Sequence, residues 1–248
     1  MDRKFWKSKR HKKIIAENYL DSRLNNSYRK SKEKYSMTEK KLIPVMRDTI
    51  FGEIEDCSKE FLEIGIDSIM DDGILKDLPI VNLICGVCKI GINITERHFL
   101  KETLYFINAF RSGNIEQKKL DKYREKLISD PQRAQRELER VTLLLNSHIY
   151  SKQSERLGKF YSAFVQGVIS WEKYCELSEA NSRMFESDYN ILNQVNSGMI
   201  TNLGYQAERL VALGLLCEAN LDIENDTMIL GDGVYGCTAF GKTFLQLS

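Results

Sequence analysis

Apolar residues recur at three- and four-residue steps along most of this chain, and that spacing predicts a series of amphipathic helices. Ser36 followed by Glu39 forms a capping box that opens a helix over residues 37–70. Pro44 is expected to kink this helix or to restart it. A second long helix is predicted over residues 79–110. The pattern therefore predicts a mostly α fold built around a bundle of five or six helices.

The middle of the chain carries clear helix boundaries. Residues 115–128 predict a charged amphipathic helix, and Asp130 followed by Pro131 predicts the start of the next one. Two further helices are predicted over residues 155–169 and 171–194. The helix after Pro131 is expected to carry one apolar face, made of Leu138, Val141, Leu144, Leu145 and Ile149.

The last fifty residues have a different character. A helix is predicted over 203–214, then short strands over 227–230 and 233–237, then a terminal helix capped by Thr238. The pattern E-R-L-x-x-L-G-L-L, a strand and T-x-x-G-K resembles the closing part of a winged-helix domain. The resemblance covers about 45 residues and implies a helix followed by a small hairpin.

These patterns divide the chain into three parts. Residues 1–35 form a basic N-terminal arm that is expected to be mobile or loosely held. Residues 36–195 form the helical bundle with an apolar central hairpin, and residues 196–248 form a small winged-helix-like α+β module. Apolar residues make up 42% of the chain and charged residues 29%, which is typical of a globular protein. The six scattered cysteines are typical of reduced thiols in a cytosolic protein.

A phosphate-binding pattern occurs near the end of the chain, where residues 236–243 read GCTAFGKT. Only five residues follow Thr243, so the helix that must face the phosphates would be truncated. The overlapping GDGVYG over 231–236 lacks the βαβ unit of a dinucleotide site. A helix cap at Thr238 accounts for the same residues. We therefore expect neither a bound nucleotide nor another cofactor.

The remaining chemical signals are weak. Cys85 and Cys88 form a lone C-x-x-C without a second ligand pair, so small core residues are expected and no metal site is predicted. His148 follows an apolar helix face and is expected to be partly buried and hydrogen-bonded rather than catalytic. No catalytic residue is predicted, although an enzyme with an unrecognised site stays open.

The most apolar stretch runs over residues 78–95. Eleven uncharged residues precede Lys89, whereas a membrane-spanning helix needs about twenty apolar residues. A buried core helix, conditional membrane insertion and a partner interface are the three interpretations. The candidate membrane or partner contacts are Leu78, Ile80, Val81, Leu83, Ile84, Val87, Ile90 and Ile92.

Charge is distributed unevenly along the chain. Residues 1–41 hold fourteen Lys and Arg against five Asp and Glu, whereas the remaining residues hold twenty-two against thirty. A basic segment of this kind binds anionic lipid or nucleic acid, or is a solvated tail. The candidate anionic-surface contacts are Lys4, Phe5, Trp6, Lys7, Lys9, Arg10, Lys12 and Lys13. Residues 200–248 are acidic, which favours a protein contact over DNA there.

Residues 65–107 contain an apolar helical segment entered by L-K-D-x-P-I-V. With the helical middle and the winged-helix-like end, this stretch resembles uncharacterised bacterial proteins of similar length over residues 60–248. The resemblance implies an architecture and a bacterial or phage origin, with accessory proteins of phage defence as one setting.

We therefore expect a non-enzymatic cytoplasmic interaction or effector protein. It would contact a protein partner or itself, and it would associate conditionally with an anionic membrane that residues 78–94 perturb. One alternative is a nucleic-acid-binding regulator that uses the arm and the winged-helix-like module. The other is an enzyme with an unrecognised site.

Overall fold

The computed structural model describes residues 42–52, 94–198, 203–218 and 235–248. The chain divides into two compact units, Met1–Val45 and Met46–Ser248. Of the first unit only residues 42–45 are described, and they are helical. The fold below is that of the second unit.

Within these ranges the chain is mostly helical, with nine helices and one two-stranded antiparallel sheet. The prediction of a mostly α fold with a small sheet near the end is confirmed. In chain order the elements are α1 over 42–51, α2 Ile94–Ser112, α3 Gln117–Ser129, α4 Pro131–Ser147, α5 Ser151–Val165, α6 Trp171–Arg183, α7 Glu186–Asn196, α8 Gly204–Ala212, β1 Leu216–Glu218, β2 Tyr235–Cys237 and α9 Ala239–Leu247.

Helices α2 and α5 approach each other closely because small residues lie between them. A Cβ at Gly158 of α5 would lie 2.4 Å from the Phe106 carbonyl oxygen of α2. A Cβ at Gly113, just after α2, would lie 2.1 Å from the Ser162 Oγ. Backbone in a densely packed interior cannot absorb such an overlap, so glycine is required at position 158, whereas a side chain at position 113 would displace the Ser162 hydroxyl.

A cluster of aromatic rings fills the core beside this contact. Tyr161 of α5 is fully buried, and its ring centroid lies 5.6 Å from Phe110 and 5.4 Å from Tyr174. Phe51 meets Phe110 at 5.5 Å, and Trp171 stacks on Tyr174 at 5.1 Å. Rings at these separations attract one another in addition to burying apolar area, so they tie α1, α2, α5 and α6 together.

The predicted start of α4 is confirmed. The Asp130 side chain accepts a hydrogen bond from the Arg133 amide at 3.0 Å, and Pro131 occupies the first helical position. This cap satisfies an amide that the first turn cannot use internally, and the fixed φ of proline suits that position.

The apolar face predicted for α4 is only partly correct. Leu138, Val141 and Leu145 are fully buried, and Leu144 is half-buried. Ile149 was predicted on the same face, but the helix ends at Ser147 and Ile149 is 76% exposed. His148, the C-cap residue of α4, has extended backbone and a buried side chain.

The single helix predicted over 171–194 is wrong, because the structure has α6 and α7 with an extended break between them. Met184 has φ −90° and ψ 143°, and its carbonyl accepts a hydrogen bond from Gln153 Nε2 at 3.2 Å. The Asp188 carboxylate accepts from the Phe185 amide at 2.9 Å and so opens α7. Contacts to a distant helix therefore override good local helix propensity.

The C-terminal module consists of α8, β1, β2 and α9. Leu216 pairs with Cys237, so β1 begins two residues after the predicted helix end at 214, where no strand was predicted. The predicted strand over 227–230 lies outside the described residues. Thr238 caps α9 as predicted, since its Oγ1 accepts from the Gly241 amide at 2.9 Å.

Helix α9 joins the module to the bundle. Phe244 of α9 is fully buried, and its ring lies 5.2 Å from that of Phe160 on α5. A Cβ at Gly241 would lie 2.2 Å from the Leu215 carbonyl oxygen, so α9 also packs directly on the backbone before β1.

No helix in the four described ranges combines the length and apolar character needed to cross a membrane.

Candidate functional site

Two clusters of polar side chains are candidates for a site. The first, called the polar junction here, is made of Glu102, His148 and Ser154. The Glu102 carboxylate accepts from Ser154 Oγ at 2.6 Å and from Ser151 Oγ at 3.0 Å. The His148 Nδ1 lies 2.8 Å from Ser154 Oγ. All three junction residues are buried, with exposures of 1%, 2% and 0% respectively.

The order of these groups decides what chemistry they support. Because Ser154 gives its one proton to Glu102, we assign the proton of His148 to Nδ1, which then donates to Ser154. A nucleophilic serine instead donates to a histidine that is held by a carboxylate. Here the serine lies between its two partners and is fully buried. The junction therefore fixes the serine in place and does not activate it.

His148 is neutral at pH 7. Burial, together with the smaller effects of the nearby charges of Arg156 and His98, lowers the pKa of His148 to about 4. His98 Nε2 also donates to the His148 carbonyl at 2.7 Å, which links α2 to the end of α4. The prediction of a buried, hydrogen-bonded histidine is confirmed.

Polar contacts continue from this region toward α7. The Asn181 amide donates to the Gln153 carbonyl at 2.7 Å, and Gln153 Nε2 donates back to the Asn181 carbonyl at 3.1 Å. Arg156 Nε donates to Asn181 Oδ1 at 2.8 Å. Buried groups that are paired in this way avoid the cost of unsatisfied polar atoms and fix the relative positions of α5 and α6.

The second cluster, called the Arg209 clamp here, is made of Phe185, Asp188 and Arg209. Asp188 of α7 is fully buried and accepts from both the Nε and the Nη2 of Arg209 on α8, the first at 2.7 Å. The guanidinium lies 4.6 Å from the Phe185 ring centroid. The hydrogen bond to Asp188 raises the pKa of Arg209 above its usual value. The clamp joins the C-terminal module to the bundle by charge.

The clamp determines which groups α8 presents to solvent. Tyr205 is 73% exposed, and Glu208 and Ala212 on the same side of the helix are also exposed. These three residues are called the α8 face here. Arg209 is the only Lys or Arg of α8, and its charge is held by Asp188. The face is therefore aromatic and acidic.

The glycine-rich segment 236–243 forms the end of a strand, a helix cap and the start of a helix, in agreement with the cap predicted at Thr238. Gly236 lies in β2, and Thr238 caps α9. The Gly241 amide donates to Thr238 Oγ1 and the Lys242 amide donates to the Thr238 carbonyl at 2.9 Å. Two amides that a phosphate loop would direct at its ligand are thus bound within the chain.

Most residues singled out from the sequence lie outside the described residues. These are the predicted membrane or partner contacts between Leu78 and Ile92, the predicted anionic-surface contacts between Lys4 and Lys13, and the pair Cys85 and Cys88. Among the described residues, no group of three or more His, Cys, Asp or Glu is placed to hold a metal ion.

The sequence interpretation missed the clamp and the α8 face. The sequence does contain a signal for both, which is an aromatic residue followed three positions later by an acidic one. This spacing occurs at Phe185 and Asp188 and again at Tyr205 and Glu208. Tyr205 and Glu208 lie on one side of α8, whereas Phe185 is the extended N-cap residue of α7.

No family model matches the sequence, and neither a curated protein nor a solved structure matches it.

Proposed function

We propose that this is a non-enzymatic interaction protein whose C-terminal module contacts another protein through the α8 face. The observation that carries the proposal is the exposure of Tyr205 beside Glu208, while the one cation of α8 is bound to Asp188. Aromatic side chains are enriched in protein interfaces. The order α8, β1, β2, α9 supports a winged-helix-like module, and we propose that identity for it.

The chemistry of α8 favours a protein over DNA as its partner. DNA affinity comes largely from Lys and Arg that contact phosphates, and a reading helix places such side chains in the groove. Arg209 is not free to do so, and Glu208 would face the phosphates with like charge. The nucleic-acid alternative therefore rests on the N-terminal arm.

DNA binding by the full-length protein separates these alternatives. We would titrate a labelled duplex at several salt concentrations and compare the wild type with a variant whose arm cations are changed to Gln. We expect any binding to be lost in that variant and to be unaffected by Lys242→Gln in the module. Salt-sensitive binding that survives the arm substitutions would contradict a protein-contact role for the module. The substituted arm positions are Lys4, Lys7, Lys9, Arg10, Lys12 and Lys13.

The protein contact itself is tested by photocrosslinking in cells that naturally produce the protein. A photoreactive residue replaces Tyr205, and a matched control replaces Leu143, which is 63% exposed on α4. We expect a discrete adduct from position 205 that is absent at position 143 and is lost with Glu208→Arg. Equal labelling at both positions, or labelling that ignores Glu208, would contradict the proposal.

A membrane-perturbing effector of bacterial phage defence is the narrower form of this proposal. It is supported by the apolar sequence over 78–94 and the basic arm, and by the resemblance stated above. Dye leakage from anionic and neutral vesicles tests it with the full-length protein and the arm variant. We expect leakage that depends on the arm and on anionic lipid. No leakage from either kind of vesicle would contradict the membrane-perturbing role and leave the proposed protein contact standing.

A further inference from the structure

The start of α7 holds two arginines by the same arrangement. Phe185 and Asp188, three positions apart, hold Arg209, whose guanidinium lies 4.6 Å from the phenyl centroid. Glu186 and Tyr189, also three positions apart, hold Arg156. Its Nη2 lies 2.5 Å from Glu186 Oε1, and its guanidinium lies 4.7 Å from the Tyr189 centroid.

This arrangement suits arginine for a physical reason. Glu186 and Tyr189 lie within α7, where side chains three positions apart are about 5–6 Å from each other, so one planar guanidinium reaches both. Phe185 is the extended N-cap residue of α7, and one guanidinium likewise reaches its ring and the Asp188 carboxylate. The ring face attracts the cation, and the carboxylate accepts its N–H groups. Lysine has a compact ammonium that cannot stack on a ring as a plane, so the pair discriminates between the two cations.

A third pair of the same composition and spacing lies on α8. Tyr205 and Glu208 are three positions apart in the same order as Phe185 and Asp188. Both are exposed, and no side chain in the described ranges pairs with the Glu208 carboxylate. The Arg209 guanidinium lies 5.9 Å from the Tyr205 centroid, but its N–H groups are directed at Asp188.

We propose that Tyr205 and Glu208 receive an arginine from a partner protein. The guanidinium stacks on the Tyr205 ring and pairs with the Glu208 carboxylate, as Arg209 does on Phe185 and Asp188. The complementary charge and the two occupied pairs in α7 argue for this occupant. The inference rests on the proposed interaction function, and it specifies the chemistry of the partner at the α8 face.

A random library of twelve-residue peptides displayed on phage provides the first test. The library is selected on the full-length protein and in parallel on the Tyr205→Leu/Glu208→Gln variant. Both substitutions lie on an exposed helix surface, and Leu and Gln are good helix formers, so the variant is expected to fold. We expect peptides with an arginine at one fixed position to be enriched on the wild type and not on the variant.

Affinity measurements on the most enriched peptide give the second test. Replacing its arginine with citrulline keeps the shape and removes the charge, and we expect about fivefold weaker binding, as for loss of one surface ion pair. Lysine in that position should weaken binding about threefold, because it does not stack. Glu208→Gln in the protein should match the citrulline effect, whereas Glu125→Gln on the exposed side of α3 should change nothing.

Three outcomes would overturn the inference, and they differ in what they leave standing. Enriched peptides without arginine that still need Tyr205 would overturn the arginine and keep the protein contact at the α8 face. Equal enrichment on the variant would remove both the arginine and the α8 face as a contact. An affinity that is indifferent to citrulline would show that the arginine is not held by charge, and it would overturn the inference alone.

Discussion

The helical bundle and the C-terminal module are held together by different kinds of contact. In the bundle, α2 and α5 touch through backbone at Gly158, and fully buried rings such as Tyr161 surround them. The contacts that join the module to the bundle include the ion pair of Asp188 with Arg209 and the Phe244 ring. Ser248 Oγ also donates to Tyr189 Oη at 3.1 Å, and Lys173 Nζ lies 5.1 Å from the Phe240 centroid. Apolar packing is spread over many side chains, whereas an ion pair is lost when either of its two partners is removed. Removing either partner of that ion pair should therefore weaken the attachment of the module.

The largest effect is expected for Gly158→Val in the bundle. Its side chain would overlap the Phe106 carbonyl and the Ala109 side chain, and moving α2 away from α5 should lower the free energy of unfolding by about 3 kcal/mol or more. Denaturant unfolding monitored by circular dichroism measures this change. Lys159→Val is the matched control, since that neighbour is exposed. Valine has a lower helix propensity than lysine and a higher one than glycine, so propensity alone would make the control the less stable variant. Equal midpoints for the two variants would rule out the close approach.

The next effect is expected in the clamp. Arg209→Leu leaves the buried Asp188 carboxylate without its cation and should cost about 3 kcal/mol. Amide exchange should become faster in α8 and α9 before it does in α5. Adding Asp188→Asn should recover part of the loss, since the buried charge is then gone.

A control for the clamp lies in the exposed ion pair of Arg183 with Glu179. Arg183→Leu should cost less than about 1 kcal/mol, because its side chain is 64% exposed. If Arg209→Leu were as mild as Arg183→Leu, the module would be attached by its other contacts alone.

A smaller effect is expected from acid, and it acts inside the bundle. The pKa of His148 is about 4 in the folded protein and about 6.5 when exposed, so the unfolded chain takes up its proton first as the pH falls. Stability from this group is complete above pH 6.5 and is lost progressively toward pH 4. Between pH 7 and pH 5 the loss should be about 2 kcal/mol.

Comparison with His148→Gln isolates that histidine from the carboxylates, which titrate in both proteins. The variant should show a flatter dependence of unfolding free energy on pH over this interval. The same slope in both proteins would mean that His148 is already protonated, or exposed, in the folded state.

The smallest effects are expected from two helix caps, one in each region. Thr238→Ala and Asp130→Ala each remove a side-chain acceptor from an amide of the first turn and should each cost about 1 kcal/mol. Asp130→Ala should shift the unfolding midpoint of the bundle, whereas Thr238→Ala should mainly speed amide exchange in α9. Identical exchange patterns for the two variants would show that the regions unfold as one unit.

Local chemistry made parts of the fold predictable. The helix caps at Asp130 and Thr238 each involve residues within three positions of one another. They can therefore be recognised in the sequence without knowing the tertiary contacts. The break at Met184 has no such signal, because it depends on Gln153, which lies 31 residues away. Strand β1 was missed for the same reason, since it forms only by pairing with the distant β2.

The candidate site could likewise be predicted only in part. The spacing of Tyr205 and Glu208 is visible in the sequence, and so is that of Phe185 and Asp188. Which pair is already occupied is not visible, because Arg209 lies 21 residues from Asp188 and reaches it only through the packing of α8 on α7. The predicted contacts between Leu78 and Ile92 lie outside the described residues and stay a prediction.

The aromatic cluster also gives the bundle an optical signal of its own. Trp171 stacks on Tyr174 and lies 5.3 Å from Phe164, and the only other tryptophan of the chain is Trp6. With Trp6→Phe, tryptophan emission would come from the bundle alone, since residues 196–248 contain no tryptophan. Loss of the α6 contact with α5 would shift that emission to the red.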